Sequence, residues 1–539
     1  MIVKKYDKEQ MNPLDWQYAG EGGKHALFAY HPTNGGDNTS EYDGMLLRTR
    51  KTDLAMAAAF FRPEISSIRA NLNGNPTHYI RNIISHCIGP YIDIPEIVEL
   101  EWSFLQRLQD IALSGGQIPL SRQQDWKLAS DGTAHDATIP VGMLLADYRS
   151  LGLPKTVEGG SSSGRCISVE IKPKAGYTAL SPLVHPFHRI KFLETRFQSL
   201  QKLHRNGRVS KAWTSSSDSF DMSTYDPRDL FSGEMRKIRR ALKSLVCCPQ
   251  NNLRIWYGES MLIGLESDLK TSNSLCSETL REMFNFEAVD GGFREVGAVV
   301  GEIVASILSH ESLLTELLKM QELDILDADG AILVYNRLVA LCNGSEKEAE
   351  SKLDSPPIPT TTLSEKSHEI LEASPFVPPA RSPNVASLCD EIDRFRQLLV
   401  CSLPSLPSTK ELDKYRECAL GFVDSLSAEE CEYLLRNWLL SLAMCDVSVF
   451  ITIQLGSPLP SEPRDIRRED SQEKSLVAIS KGVSSEPGLL TWKGPDGEYL
   501  RFGYNVKLID CDGKPAKKLR TRREKEIAFR SLQPLNNHG

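Results

Sequence analysis

The sequence lacks the features that mark a membrane protein, a disulfide-bonded secreted protein or a zinc module. Its most apolar run, 438–453, is interrupted by Asp446 and is shorter than the roughly 20 residues that a membrane helix needs. The first residues hold no apolar signal core. The 12 cysteines are scattered and form no Cys-x-x-Cys pair, so reduced thiols are the simplest interpretation. We therefore expect a protein of the cytoplasm, the nucleus or both, with no membrane partner.

An excess of positive charge is also missing. Lys and Arg number 63 against 71 Asp and Glu, which gives a net charge of −8. A mildly acidic chain is not built to coat nucleic acid, so any site for an anion must be a local cluster of basic residues. The 40% hydrophobic and 25% charged content indicates an ordinary globular protein. We expect a monomer that requires no nucleic acid.

The order of sequence patterns predicts an α+β protein with two lobes. A first, β-rich lobe is predicted over 1–150, and a larger mixed lobe over 151–539. The stretch 150–164 is rich in Gly, Ser and Pro and could be the crossing between the lobes. Within the second lobe, the composition of 343–383 and 456–486 turns polar, which predicts two flexible insertions.

A glycine-rich turn at 20–23 separates two predicted strands. No helix opens directly behind it, so it differs from a Walker A loop or a Rossmann turn. Glycines in such a hairpin allow backbone amides to approach nucleotide phosphates, as in the lid of protein-kinase-like enzymes. Arg48, on the next predicted strand, could neutralise phosphate charge. The alternatives are an ordinary hairpin turn and an arginine that faces solvent.

Charged residues stand at the ends of apolar segments. Glu170, Lys172 and Lys174 would share one face if the strand that begins at Cys166 continued through them. Two lysines beside a buried strand suggest a polyanionic ligand, although a surface turn is the alternative. Asp446 lies between a predicted helix, 428–442, and a buried strand. As a buried carboxylate it could be a helix-to-strand cap or a base that accepts a hydroxyl proton.

A pair of carboxylates and a basic run follow a predicted pair of strands at 497–510. Asp510 and Asp512 at a strand end form a plausible Mg²⁺ site. The residues directly behind them carry positive charge: Lys514, Lys517, Lys518, Arg520, Arg522, Arg523 and Lys525. Metal-binding carboxylates beside phosphate-binding cations suit phosphoryl transfer. The basic run could instead be a solvated tail, a localisation signal or a nucleic-acid patch.

Seven short segments, taken in order, resemble the inositol-pentakisphosphate 2-kinase family. The segments are Gly20–Gly23, Leu47–Arg48, Glu170–Lys174, Tyr225–Ser232, Pro249–Arg254, Cys445–Ser448 and Ile509–Pro515. The Glu-Ile-Lys-Pro-Lys segment is highly characteristic of that family, and the resemblance runs from about residue 14 to about residue 520. A protein kinase is not indicated, because the sequence has no His-Arg-Asp, Asp-Phe-Gly or Val-Ala-Ile-Lys motif.

The resemblance implies a two-lobed fold distantly related to protein kinases, with ATP and Mg²⁺ as cofactors. It implies transfer of the ATP γ-phosphate to the axial 2-hydroxyl of inositol 1,3,4,5,6-pentakisphosphate, which gives inositol hexakisphosphate, or phytate. Asp446 would accept the hydroxyl proton, and Lys172 would neutralise the transferring phosphate. The nucleotide would be bound by Gly20, Glu21, Gly22, Gly23, Lys24, Arg48, Asp147, Glu170 and Arg254. The inositol phosphate would be bound by Lys174, Asn251, Asn252, Lys514 and Lys518, and Mg²⁺ by Asp510 and Asp512.

The sequence departs from the family pattern at two places. Lys24 and His25 stand where the family usually has Ala-Asn. Leu200 falls where it commonly has His, and His204 or the neighbouring Arg205 falls where it commonly has Lys. These departures leave a second hypothesis open, a catalytically impaired, kinase-like scaffold that binds inositol phosphates. A third hypothesis makes the basic tail an RNA-binding arm.

Overall fold

The structure, a computed structural model, divides into two compact units, Met1–Ser85 with Ile92–Gly152, and His86–Tyr91 with Leu153–Gly539. The residues that it describes are 4–5, 11–21, 25–33, 40–50, 79–116, 118, 141–149, 166–205, 223–264, 269–284, 292–343, 385–399, 408–455, 476–480, 488–493, 499–512, 514, 518–519 and 522. Both units contain a β-sheet and helices, which confirms the predicted α+β class.

The first unit is built on a six-stranded sheet in the spatial order β1-β5-β6-β4-β3-β2. All neighbours are antiparallel except the β1–β5 pair. Its core contains Trp16, Phe28 and Leu47 from the sheet, together with Phe104 from a covering helix. The strands are β1 (Lys4–Lys5), β2 (Trp16–Glu21), β3 (His25–Tyr30), β4 (Met45–Arg50), β5 (Glu96–Glu99) and β6 (Val141–Ala146).

The predicted glycine-rich turn begins later than the sequence pattern indicates. Gly20 and Glu21 are paired in β2, opposite Leu27 and Ala26 of β3, after a register shift that follows Tyr18. An irregularity of this kind lets one extra residue enter a strand, so the hairpin extends further than alternation alone suggests. Gly22, Gly23 and Lys24 lie outside the described residues.

The second unit contains a seven-stranded antiparallel sheet in the order β11-β12-β13-β10-β7-β8-β9. The two strands next to each other near its centre, β7 and β10, are almost entirely buried, which explains their apolar composition. The strands are β7 (Cys166–Ile171), β8 (Leu253–Tyr257), β9 (Ser260–Ile263), β10 (Ser448–Leu455), β11 (Leu476–Ser480), β12 (Gly488–Lys493) and β13 (Tyr499–Ile509).

Two local predictions differ from this sheet. Residues 499–509 of the segment predicted as a pair of strands form one long strand, β13, which pairs with β10 over 502–509 and with β12 over 499–504. Five residues of the predicted insertion 456–486 form β11, which pairs with β12. The rest of that segment, and 344–383 of the other predicted insertion, lie outside the described residues.

The helix predicted at 428–442 is confirmed and spans Ala428–Met444. In the second unit, the helix Phe293–His310 packs against Met235–Cys247 and Leu269–Phe284. The helix Ala428–Met444 packs against Leu313–Gln321 and Asp327–Asn343. This helix begins behind Ser427, whose side chain forms a capping box with Glu430. The helices are α1 (Ser85–Ile88), α2 (Trp102–Ser114), α3 (Arg196–Arg205), α4 (Pro227–Leu230), α5 (Met235–Cys247), α6 (Leu269–Phe284), α7 (Phe293–His310), α8 (Leu313–Gln321), α9 (Asp327–Asn343), α10 (Val385–Leu399), α11 (Thr409–Ser425) and α12 (Ala428–Met444).

No single helix in the described part of the chain is long and apolar enough to cross a membrane. The segments Arg294–His310 and Leu313–Gln321 would reach that length only as a pair, and a bend of 70° separates them.

Candidate active site

Glu170 of β7 is the centre of a charged cluster in the second sheet. The register places it opposite Arg254 of β8 on one side and Phe450 of β10 on the other. Arg254 Nη1 donates to Glu170 Oε2 (3.1 Å), and Lys172 Nζ lies 3.9 Å from Glu170 Oε1. Glu170 is only 6% exposed, so these cations and a further hydroxyl compensate its buried charge. The structure thus brings three predicted site residues together.

Ser448, the first residue of β10, supplies that hydroxyl. Its Oγ donates to Glu170 Oε1 (2.8 Å) and lies 3.4 Å from Asp510 Oδ2. Ser448 is fully buried and connects the predicted nucleotide and metal residues. Sequence reasoning assigned it no role. The available signal was its polar character at the start of an apolar strand, two residues after Asp446.

The two lysines of the Lys-Pro-Lys segment leave β7 in a turn. The strand ends at Ile171, so the predicted common face for Lys174 does not hold. Lys174 adopts a positive φ of 63°, an uncommon conformation for lysine. Lys172 N donates to Asn252 O (2.9 Å), and the Tyr225 hydroxyl donates to Pro173 O (2.8 Å). Desolvation lowers the pKa of Lys174, and the carboxylate of Asp446 acts against this shift.

Asp446 lies between α12 and β10, as the sequence predicts, but it is not buried. Its side chain is 58% exposed, although the residues on either side of it are buried. Lys514 Nζ donates to Asp446 Oδ2 (2.8 Å). Partial desolvation opposes ionisation, but Lys514, Lys174 and Lys518 lower the pKa of Asp446 below its ordinary value. The carboxylate is therefore ionised at neutral pH, as a proton acceptor must be.

The predicted metal residues follow β13. Asp510 is exposed and has a positive φ of 61°, which Asp tolerates better than most residues. Asp512 is half-buried two residues further on. No group of three or more His, Cys, Asp and Glu side chains in the described ranges could hold a metal ion by itself. Two carboxylates alone provide an incomplete ligand set.

The residues predicted to bind the substrate differ in their exposure to solvent. Lys514 and Lys518 are half-buried and act electrostatically on Asp446. Asn251 is exposed, and its Oδ1 accepts from Arg254 Nη2 (3.2 Å). Asn252 is only 3% exposed, and its Nδ2 donates to Gln250 Oε1 (3.4 Å). The side-chain amide of Asn252 thus bonds its own loop, and it is the main-chain carbonyl of Asn252 that accepts from Lys172 N of the Lys-Pro-Lys turn.

In the first unit, two of the residues predicted to bind the nucleotide contact neighbouring side chains. Arg48 Nη2 contacts His25 Nδ1 at 3.0 Å across the β3–β4 pair. His25, one of the residues that differ from the family pattern, therefore contacts a predicted site residue. Asp147 is 1% exposed, and Arg149 binds both of its carboxylate oxygens, at 2.9 and 2.8 Å. Its carboxylate is thus directed to Arg149 and not to solvent.

Comparison with known proteins places the chain in a class of enzyme. The model of a phosphotransferase family described as inositol-pentakisphosphate 2-kinase matches residues 18–527. The chain therefore belongs to the inositol-pentakisphosphate 2-kinase family, a family of transferases, and the resemblance stated from the sequence is confirmed.

Individual relatives carry the same name. An Arabidopsis thaliana inositol-pentakisphosphate 2-kinase is 29% identical over 379 residues, which cover 65% of this chain and 76% of the relative. The IPK1 protein of Oryza sativa subsp. indica is 26% identical over 60% of this chain and 69% of its own length. A Danio rerio relative is 26% identical over 50% of this chain and 48% of its own.

Proposed function

We propose that the protein transfers the γ-phosphate of ATP to the axial 2-hydroxyl of inositol 1,3,4,5,6-pentakisphosphate, with inositol hexakisphosphate and ADP as products. The observation that carries this proposal is the Asp446–Lys514 pair, joined electrostatically by Lys174 and Lys518. A carboxylate alone would repel a polyanionic acceptor. The three lysines make the local charge positive, so they can bind phosphate groups. The ionised carboxylate of Asp446 among them can still accept one proton.

Asp446 would take the proton of the 2-hydroxyl as the new bond to phosphorus forms. Its lowered pKa makes it a weak base that remains ionised. A weak base suffices, because the loose transition state of phosphoryl transfer requires little deprotonation of the attacking hydroxyl. Most of the acceleration would come from positioning and from neutralisation of charge.

The nucleotide side would be organised by Glu170. This buried carboxylate fixes Arg254 and Lys172, so both cations are oriented before a phosphate arrives. Lys172 would then neutralise the transferring phosphate, and the resemblance implies further nucleotide contacts from Arg48 and residues 20–24. Since the carboxylate of Asp147 is engaged by Arg149, a contact of this residue with adenine would come from its main chain.

The donors at the end of β13 fit Mg²⁺. Asp510 and Asp512 offer the hard carboxylate oxygens that this ion prefers, and it commonly takes its remaining ligands from phosphates and water. When bound, the ion would neutralise charge on the ATP phosphates. Ser448 Oγ lies 2.8 Å from Glu170 and 3.4 Å from Asp510, so it would connect the nucleotide side with the metal side.

The fold that we propose for this reaction is the two-lobed arrangement distantly related to protein kinases. The two compact units and their sheets support it. We further propose a monomer located in the cytoplasm, the nucleus or both. The impaired scaffold finds no supporting observation, since Asp446, Lys172 and Lys174 stand in connected clusters.

Product analysis by anion-exchange chromatography tests the activity. Purified protein is incubated with Mg-ATP and inositol 1,3,4,5,6-pentakisphosphate, beside reactions that lack ATP or contain a non-hydrolysable analogue. We expect hexakisphosphate and ADP in equal amounts from the complete reaction alone. Tight binding of the pentakisphosphate without product would contradict the proposal and favour the scaffold.

A further inference from the structure

Gln321, the last residue of α8, contacts two separate parts of the proposed acceptor site. Its side chain is fully buried, at 0% exposed. The side-chain oxygen accepts from Gly176 N (2.8 Å), and Nε2 donates to Lys174 O (2.9 Å) and to Met444 O (3.1 Å). Both N–H groups and the carbonyl of the amide are thereby used.

These two main-chain segments lead directly to two proposed site residues. Lys174 belongs to one segment itself, and Met444 lies two residues before Asp446 on the other. Because a single nitrogen reaches both carbonyl oxygens, the segments lie within two hydrogen-bond lengths of each other. Met444 ends α12, so its carbonyl has no partner within the helix, and Gln321 provides one.

Gln321 is itself held in place by a buried polar network. The Ser441 hydroxyl donates to its main-chain carbonyl. The Tyr177 hydroxyl lies 3.4 Å from Ser441 Oγ and donates to Asp324 Oδ2 (3.1 Å). Ser441 and Asp324 are buried, so the amide cannot turn away without leaving buried groups unsatisfied. The positive φ of Lys174 requires a restraint of this kind.

We propose that Gln321 is a positioning residue that sets the separation between Lys174 and Asp446 for phosphoryl transfer. The inference rests on the proposed function. An apolar residue of the same length would fill the space equally well. Only the amide can join the turn that carries Lys174 to the end of the helix that leads to Asp446.

The test compares Gln321→Met with Leu317→Ala. Methionine keeps the length of the side chain but makes none of the three hydrogen bonds. Leu317 is a fully buried apolar residue one turn earlier on α8, so its truncation provides a control for lost stability. Both variants are measured well below their Tm. The readouts are kcat, the KM of each substrate, and the affinity for inositol pentakisphosphate without ATP.

We expect Gln321→Met to lose about tenfold or more in kcat and in pentakisphosphate affinity relative to Leu317→Ala, because small displacements of reacting groups are costly. The KM for ATP should be unchanged. Equal acceptor kinetics and affinity in the two variants would overturn the inference, as would a parallel loss for ATP. If Gln321→Met does not fold, Gln321→Asn keeps an amide that is too short to reach both carbonyls and is expected to show the same split.

Measurements on the wild-type protein distinguish a failure of the proposed function from a failure of the inference about Gln321. If it binds the pentakisphosphate without phosphorylating it, the proposed function fails, and the affinity comparison still decides the role of Gln321. If it does neither, both proposals are overturned.

Discussion

At the scale of the residue, Asp446 shows how neighbours define a chemical role. Its carboxylate is more than half exposed, and Lys514 contacts it directly. Lys174 and Lys518 add to the same positive field. The lysines favour the ionised carboxylate. In the proposed reaction they would also attract the polyanionic acceptor, so that one arrangement would serve both binding and proton transfer.

Removal of Lys514 should shift the pH dependence of the reaction. The positive charge lowers the pKa of Asp446, so Lys514→Met raises that pKa. Because the base must be ionised, the acidic limb of the kcat/KM profile should move to higher pH. The profile is compared with that of Lys410→Met, which alters an exposed lysine of α11. An acidic limb at the same pH in both variants would contradict this assignment.

The two sides of the site should respond separately to the loss of their cations. Arg254 is fixed by Glu170, and Lys174 acts on Asp446. We expect Arg254→Met to raise the KM for ATP, and Lys174→Met to raise the KM for the pentakisphosphate, each by about tenfold, as for the loss of a charge-assisted hydrogen bond. Steady-state kinetics with each substrate varied in turn measure this. The assignment of sides is wrong if both variants affect the same substrate.

At the scale of the element, the segment Tyr225–Ser232 supports the Lys-Pro-Lys turn. Tyr225 donates to Pro173, and Phe231 packs against Gly176. Asp226 caps α4 through Arg228 N, and Pro227 opens the helix. The segment thus connects a short capped helix with the turn that bears the two lysines.

Gly176 should not tolerate a side chain. A Cβ at this position would lie 2.2 Å from the Phe231 ring, so Gly176→Ala should lower the free energy of unfolding by about 1–3 kcal/mol. Denaturant titration measures this. Gly421→Ala on α11 is the control, because nothing lies within 4 Å of its Cβ. It should be neutral or stabilising by up to about 1 kcal/mol.

Combining the change with a smaller neighbour tests the cause. In the Phe231→Leu background, Gly176→Ala should cost less than in the wild type, because the branched side chain leaves room for the methyl group. An unchanged cost would show that the ring is not the obstacle.

The elements show what sequence reasoning can and cannot reach. Strands β7 and β10 and the charged residues at their ends were predictable, because alternation and interrupted apolar runs are local signals. The exposure of Asp446 was not, since the direction of a turn depends on packing. The roles of Gln321 and Ser448 were also not predictable. Each is an isolated polar residue in an apolar segment, and its hydrogen-bond partners come from strands and helices that are distant in the sequence. For Gln321 those partners are 123 and 147 positions away.

At the scale of the whole molecule, buried charge makes stability depend on pH. Asp324 is buried and receives hydrogen bonds from Tyr177 and from Asp327 N. Desolvation, followed by the charge of Asp327, raises its pKa to about 7. Asp329 lies in the same region, but Lys191 and His188 oppose its desolvation and lower its pKa. The two carboxylates therefore titrate in different ranges.

Replacement of Asp324 should flatten the stability profile near neutral pH. Between the unfolded pKa of about 4 and the folded pKa of about 7, the native state binds more protons, so stability falls as the pH rises. In Asp324→Asn this decline should largely disappear. Urea titrations at pH 5 and pH 7.5 measure it. Identical declines in the wild type and the variant would contradict the raised pKa.

The most direct test of the central claim is single-turnover phosphorylation of inositol 1,3,4,5,6-pentakisphosphate by Asp446→Asn. Titration of the acceptor accompanies it, and Asp424→Asn, an exposed change on α11, is the control. The account predicts a transfer rate that is lower by about 10²–10⁴-fold, because the substitution removes the positioned base. Binding of the acceptor should be retained, because the substitution removes no substrate-binding cation. Transfer at the control rate would show that Asp446 does not accept the proton.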